Sequence, residues 1–144
     1  MRSMIQQRPL ACLLLLSAAM FFANLGVPGL WDVDEAIFSQ AAVEMLDRGD
    51  WITPHYNGEL LPDKPPLMYW VMMSAYSVIG KTEFAARCGS AVFGLGVVVI
   101  TFFLARRLFT REIAFWSALV LASSLNFTLI ARAATPDAML TFFT

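Results

Sequence analysis

Asp32, Asp34 and Glu35 put three carboxylates within four positions, directly after a long apolar segment. Carboxylates crowded at a low-dielectric boundary raise one another's proton affinity, which suits a general base or a metal ligand. They also cap helices at the positive amino-terminal end, but one acid suffices for that. A second acid, Asp137, follows Pro136 in a polar hinge that opens at Arg132. Capping the next helix is the commoner role for such a residue. Lys64 stands before Pro65-Pro66, whose fixed backbone presents its ammonium at a set place. There it can meet an anionic lipid head group as a point charge, or simply snorkel to an interface. His55 is the only histidine, and without a second histidine or paired cysteines it reads as a loop residue.

The surroundings of these residues are strongly apolar. The chain has 144 residues, 58% hydrophobic and 15% charged, with a mean hydropathy of +0.64. Soluble domains have about 45–50% apolar and about 25% charged residues, so the excess here points to lipid as the solvent. A net charge of −1 excludes a strongly basic nucleic-acid binder. Cys12 and Cys88 both lie in apolar runs and form neither a disulfide framework nor a metal motif. No phosphate-loop, dinucleotide-fold or hydrolase-elbow motif is present.

The elements that must position the acids follow from charge and periodicity. Residues 9–31 carry no charge, which predicts a first span at about 9–30. Arg2 and Arg8 place the amino terminus in the cytoplasm, and no clear small-x-small site marks a cleaved signal. Phe38, Ala41, Ala42 and Met45 define the apolar face of a helix at 34–48, with Asp32 as its cap and Gly49 as its stop. Asn57-Gly58 marks a tight turn. A helix at 66–80, carrying Tyr69, Trp70 and Tyr76, is too short to cross the bilayer. Further spans are predicted at 88–105 and 113–131, and a fourth begins at 138. The last run stops at Thr144 before it could cross, so the chain reads as truncated. Gly89, Gly94 and Gly96 suit close helix packing.

Arg106, Arg107 and Arg111 form the densest basic cluster and belong in the cytoplasm. That holds only if the 66–80 helix lies along the outer surface instead of spanning. The loop 31–87 is then extracytoplasmic, and the 113–131 span delivers Asp137 to the face that carries Asp34. The expected fold is all-α and integral to the membrane, with two interfacial helices in the first external loop and both acids facing one cavity.

Seven motifs in order strengthen this reading. They are Asp34-Glu35-Ala36; Gly49-Asp50-Trp51-Ile52 with Pro54; Asn57-Gly58; Lys64-Pro65-Pro66-Leu67 with Tyr69-Trp70; Glu83-Phe84-Ala85-Ala86-Arg87; Leu104-Ala105-Arg106-Arg107-Leu108-Phe109; and Arg132 with Ala134 and Asp137. From about Leu10 to its end the chain resembles the amino-terminal part of polyprenyl-phosphate-dependent glycosyltransferases of the GT-C class, in the ArnT-like and protein O-mannosyltransferase-like branch. The resemblance implies a multi-pass protein of the inner membrane, with its active face extracytoplasmic. Such a protein moves a sugar such as aminoarabinose or mannose, with inversion, from a polyprenyl-phosphate carrier to lipid A, protein or another envelope glycan. Asp34 would be the principal catalytic carboxylate, with Glu35 beside it and Asp137 as the second acid. Lys64 would hold the carrier phosphate, and Arg132 and Tyr69 would contact substrate. No cofactor is firmly implied, although a divalent metal near the acids, with Asp63 or His55 contributing, fits some members. Ile37-Phe38 stands where other members have Arg-Tyr, so no acceptor or carrier contact is carried over to those side chains.

Two other classes compete. A non-catalytic membrane fragment or partner subunit fits three spans with no later loops, and residues 1–144 alone are expected to show no transfer. A channel or transporter piece predicts charges within the spans, and the runs 9–31, 88–105 and 113–131 have none.

Overall fold

A computed structural model describes residues 9–30, 32–62 and 64–144. The described chain is mostly helical, with α1 at Pro9–Phe22, α2 at Val33–Arg48, α3 at Leu67–Ile79, α4 at Glu83–Leu108, α5 at Arg111–Ser123, α6 at Leu125–Arg132 and α7 at Asp137–Phe143. The strands β1 at His55–Tyr56 and β2 at Glu59–Leu60 form an antiparallel hairpin between α2 and α3. The chain divides into two compact units. One holds α1 with Ala91–Arg132 and Asp137–Thr144, and the other holds Asn24–Ser90 with Ala133–Pro136.

In the helical unit α1 packs on α5 and α6. Its core combines bulky rings and small residues, with Phe21, Phe102, Phe115 and Phe127 buried together with Ala114, Ala118, Ala122 and Ala131. The phenyl edge of Phe127 meets Phe21 at 5.9 Å between centroids. Gly94 is required here, because a Cβ added to it would lie 2.7 Å from that of Ala131. Close approach through small residues is the packing that helix pairs adopt in lipid.

The second unit is built around α2. Asp32 caps it, accepting from the Asp34 N–H at 3.2 Å, and Gly49 ends it at a φ of +68°. Its apolar face packs on α3, where Phe38 meets the ring of Tyr69 edge-on at 6.4 Å. Asn57 and Gly58 both take positive φ, the geometry of a tight hairpin turn. The turn is held by Glu44 of α2, whose carboxylate accepts from the backbone N–H of Asn57 at 2.8 Å and of Gly58 at 3.2 Å.

Three boundaries differ from those the sequence predicts. The uncharged run 9–31 is helical only to Phe22, because Asn24 turns left-handed at φ +54° and the backbone of Gly26 runs against Phe84. The run 113–131 is not one straight helix: α5 and α6 meet at a 65° bend. Ser124 is extended there, and the Thr128 hydroxyl takes up the Ala122 carbonyl. The 26-residue α4 extends well past 88–105, to about 39 Å at 1.5 Å per residue. Among the described residues, α4 is long and apolar enough to cross a membrane, and the α5–α6 pair is too if counted as one span.

Candidate active site

The amino-terminal turn of α2 separates its two acids completely. Asp34 is exposed, and among the described residues no hydrogen bond or ion pair engages its carboxylate. Glu35, one position on, is 0% exposed. Successive helix positions differ by about 100°, so a single step carries a side chain from solvent to core.

Glu35 meets Arg87, which α4 brings in from its second turn and which is 3% exposed. The pairing is bidentate, Nε donating to Oε1 at 2.9 Å and Nη2 to Oε2 at 2.8 Å. The remaining guanidinium N–H groups go to backbone carbonyls: Nη1 to Leu25 at 3.0 Å and Pro28 at 2.6 Å, and Nη2 to Gly29 at 2.9 Å. All five donors are therefore used. Glu35 Oε1 also accepts the Ala134 N–H at 2.7 Å, and the neighbouring Thr135 carbonyl accepts from Ser90 Oγ at 3.2 Å. The sequence suggests crowding by like charges as the influence on these acids, but what Glu35 faces is a cation and a backbone amide. Charge-assisted, fully satisfied contacts of this kind are how a buried ion pair is tolerated.

Lys64 lies over the Phe38 ring, its Nζ 5.9 Å from the centroid. Phe38 lies four residues, about one helical turn, after Asp34. Tyr69 is fully buried behind Phe38 and packs against it. Of the expected residues, Lys64 and Tyr69 thus both meet Phe38 of α2.

Others lie elsewhere. Arg132 ends α6 and donates from Nη1 to the carbonyls of Met20 at 2.7 Å and Phe21 at 3.2 Å, capping the carboxyl end of α1. Asp137 is exposed at the first residue of α7. The His55 ring Nδ1 lies 3.0 Å from the Thr53 carbonyl, a local contact within its own loop. Asp63, Arg2 and Arg8 lie outside the described residues. Among the described residues no group of three or more His, Cys, Asp or Glu is placed to hold a metal ion.

Arg87 is the residue that sequence reasoning passed over, since the motif Glu83–Arg87 suggests no role for it. The signal was present: Arg87 stands at the head of the uncharged run 88–105, a place where an unpaired charge is costly.

The family described as dolichyl-phosphate-mannose-protein mannosyltransferase matches residues 63–144. This is more than half of the chain, which therefore belongs to that family. Among its relatives, an uncharacterized protein of Aquifex aeolicus (strain VF5) is 37% identical over 125 residues, covering 86% of this chain and 25% of that protein. The undecaprenyl phosphate-alpha-4-amino-4-deoxy-L-arabinose arabinosyl transferase of Pseudomonas savastanoi pv. phaseolicola is 33% identical over 107 residues, 74% of this chain and 20% of its own. The crystal structure of ArnT from Cupriavidus metallidurans bound to undecaprenyl phosphate superposes with a TM-score of 0.83 at 28% identity, over 90% of this chain and 24% of that one. The chain thus spans about a fifth to a quarter of these proteins' length.

Proposed function

We propose that this chain carries the acidic site of a multi-pass inner-membrane glycosyltransferase that uses a polyprenyl-phosphate-linked sugar at the extracytoplasmic face. Aminoarabinose transfer to lipid A is the favoured activity, given the arabinosyl transferases among its relatives; a mannose-like sugar and a protein or glycan acceptor belong to the same reaction class. In this reading α2 and α3 lie along the outer surface of the membrane.

One observation carries the assignment of roles. Of two adjacent carboxylates, Glu35 is consumed by Arg87 and Ala134, whereas Asp34 is left exposed, one helical turn before the Phe38 ring that Lys64 overlies. Asp34 accepts the proton of an acceptor hydroxyl as that oxygen bonds to the sugar's anomeric carbon. The bond from that carbon to the carrier phosphate breaks on the opposite side, and configuration inverts. The Lys64 ammonium stabilises the negative charge gathering on the leaving phosphate. Where the acceptor is itself a phosphate, no base is needed and Asp34 orients the nucleophile. Asp137 is the second acid of the reaction.

The test is sugar transfer from a polyprenyl-phosphate donor by the protein expressed from the reading frame that contains this chain. Asp34→Asn should lower the rate on the order of 10²- to 10⁴-fold, and Asp137→Asn should also impair it. Unchanged transfer in both variants would falsify the site assignment.

A further inference from the structure

The residue after one candidate acid is bonded to the segment that precedes the other. Glu35 follows Asp34, and its carboxylate takes the N–H of Ala134, three residues before Asp137. The tetrapeptide Ala133–Pro136 belongs to the same compact unit as α2. Its backbone bonds to Glu35 and to Ser90 Oγ. The loop before α2 is tied to the same cation, through the carbonyls of Leu25, Pro28 and Gly29.

We propose that Arg87 and Glu35 are positioning residues for the transfer reaction, a single buried clamp that sets the first turn of α2 beneath Asp34 and the hinge segment leading to Asp137. The proposal deepens the functional reading above and rests on it. Glu35, which the resemblance places among the catalytic acids, is buried away from any acceptor and acts through what it holds. The guanidinium is specifically required. It supplies five donors in a fixed plane, two for the carboxylate and three for carbonyls of one loop, whereas a lysine has three donors and no plane. Lysine therefore keeps the charge but must release part of the set.

The consequence differs from that of a general loss of stability. When the clamp slackens, Glu35 no longer holds Ala134, and the hinge and the turn of α2 loosen together. The β1–β2 hairpin is fastened separately by Glu44 and stays put. Misplacement of a reacting group by an ångström lowers turnover and leaves the binding of a remote lipid carrier nearly intact.

The experiment compares Arg87→Lys, Glu35→Gln and Asp34→Asn with the parent protein, all expressed from the full reading frame. Two readouts are taken: kcat and KM for a polyprenyl-phosphate sugar, and amide hydrogen exchange followed by mass spectrometry. Glu35→Gln preserves shape and keeps an acceptor, so it serves if Arg87→Lys folds poorly. Both clamp variants should lose on the order of 10- to 100-fold in kcat with KM within about 2-fold. Exchange should rise at 25–30, at the first turn of α2 and at 133–136, but not in the hairpin. Faster exchange with unchanged kcat overturns the proposal, since the clamp is then only structural. So does unchanged exchange in these segments, or a rise spread evenly over the protein. If the parent shows no transfer while the exchange pattern appears, the functional reading fails and the clamp's role in catalysis falls with it. A parent that is active and abolished by Asp34→Asn, beside clamp variants of normal kcat, leaves the functional reading standing and removes the clamp.

Discussion

The two compact units are held by different forces. The helical unit relies on fit: its buried groups include phenyl rings and alanines, and Gly94 lets α4 lie against Ala131. The unit around α2 relies on directed polar contacts: Arg87 on Glu35 and three carbonyls, Glu44 on a turn, Asp32 on a helix end. Shape alone holds helices side by side, but it does not fix the direction of a short loop. Where a carboxylate must be held beside irregular backbone, hydrogen bonds supply the direction that dispersion lacks.

This contrast is broken most sharply at Glu35. Glu35→Ala should destabilise the protein by about 3–5 kcal/mol, because the Arg87 charge is left buried without its carboxylate. Thermal unfolding in detergent measures it, and a variant as stable as the parent would contradict the clamp. Gly94→Val probes the other unit. Its methyl groups must displace Ala131, at an expected cost of about 1–3 kcal/mol. A neutral result there would mean that α4 and α6 are free to part.

Arg132→Ala should cost about 1–2 kcal/mol through the carboxyl end of α1, whose Met20 and Phe21 carbonyls lose their donor. It separates capping from the substrate contact that the resemblance implies: a capping role lowers the unfolding temperature, whereas a binding role raises KM and leaves unfolding where it was. The smallest effect is at Asp50. The backbone N–H groups of Ile52 and Thr53 hold its carboxyl below its ordinary value of 3.8. A depressed value means that the bond stabilises the loop above the usual carboxylate range and is lost as pH falls through the folded value. Protection of these two amides, corrected for the intrinsic effect of pH on exchange, should therefore fall only in acid. Equal loss at neutral pH would show that the bond contributes nothing.

What could be read from the sequence was local. The first turn and last residue of α2 are signalled by Asp32 and Gly49, which lie beside the positions they govern, and Asn57-Gly58 declares its own turn. The Glu35–Arg87 pair joins residues 52 apart, and no periodicity or propensity links them. Separation in sequence, 13 residues from Glu44 to Asn57 and 112 from Met20 to Arg132, likewise hid the use of Glu44 as a brace and of Arg132 as a cap. The bend at Ser124 escaped because hydrophobicity counts apolar residues and is blind to a backbone that turns extended for one of them. The end of α1 escaped for a similar reason, since Asn24 takes its positive φ within an uncharged run.

The two neighbouring acids of α2 offer the most direct measurement. Asp34→Asn and Glu35→Gln are to be compared for sugar transfer and for unfolding temperature in one preparation. Asp34→Asn should unfold where the parent does and transfer almost nothing, and Glu35→Gln should unfold at lower temperature. A destabilised Asp34→Asn that still transfers sugar, beside a Glu35→Gln of parental stability, would contradict the division of roles on which the account stands.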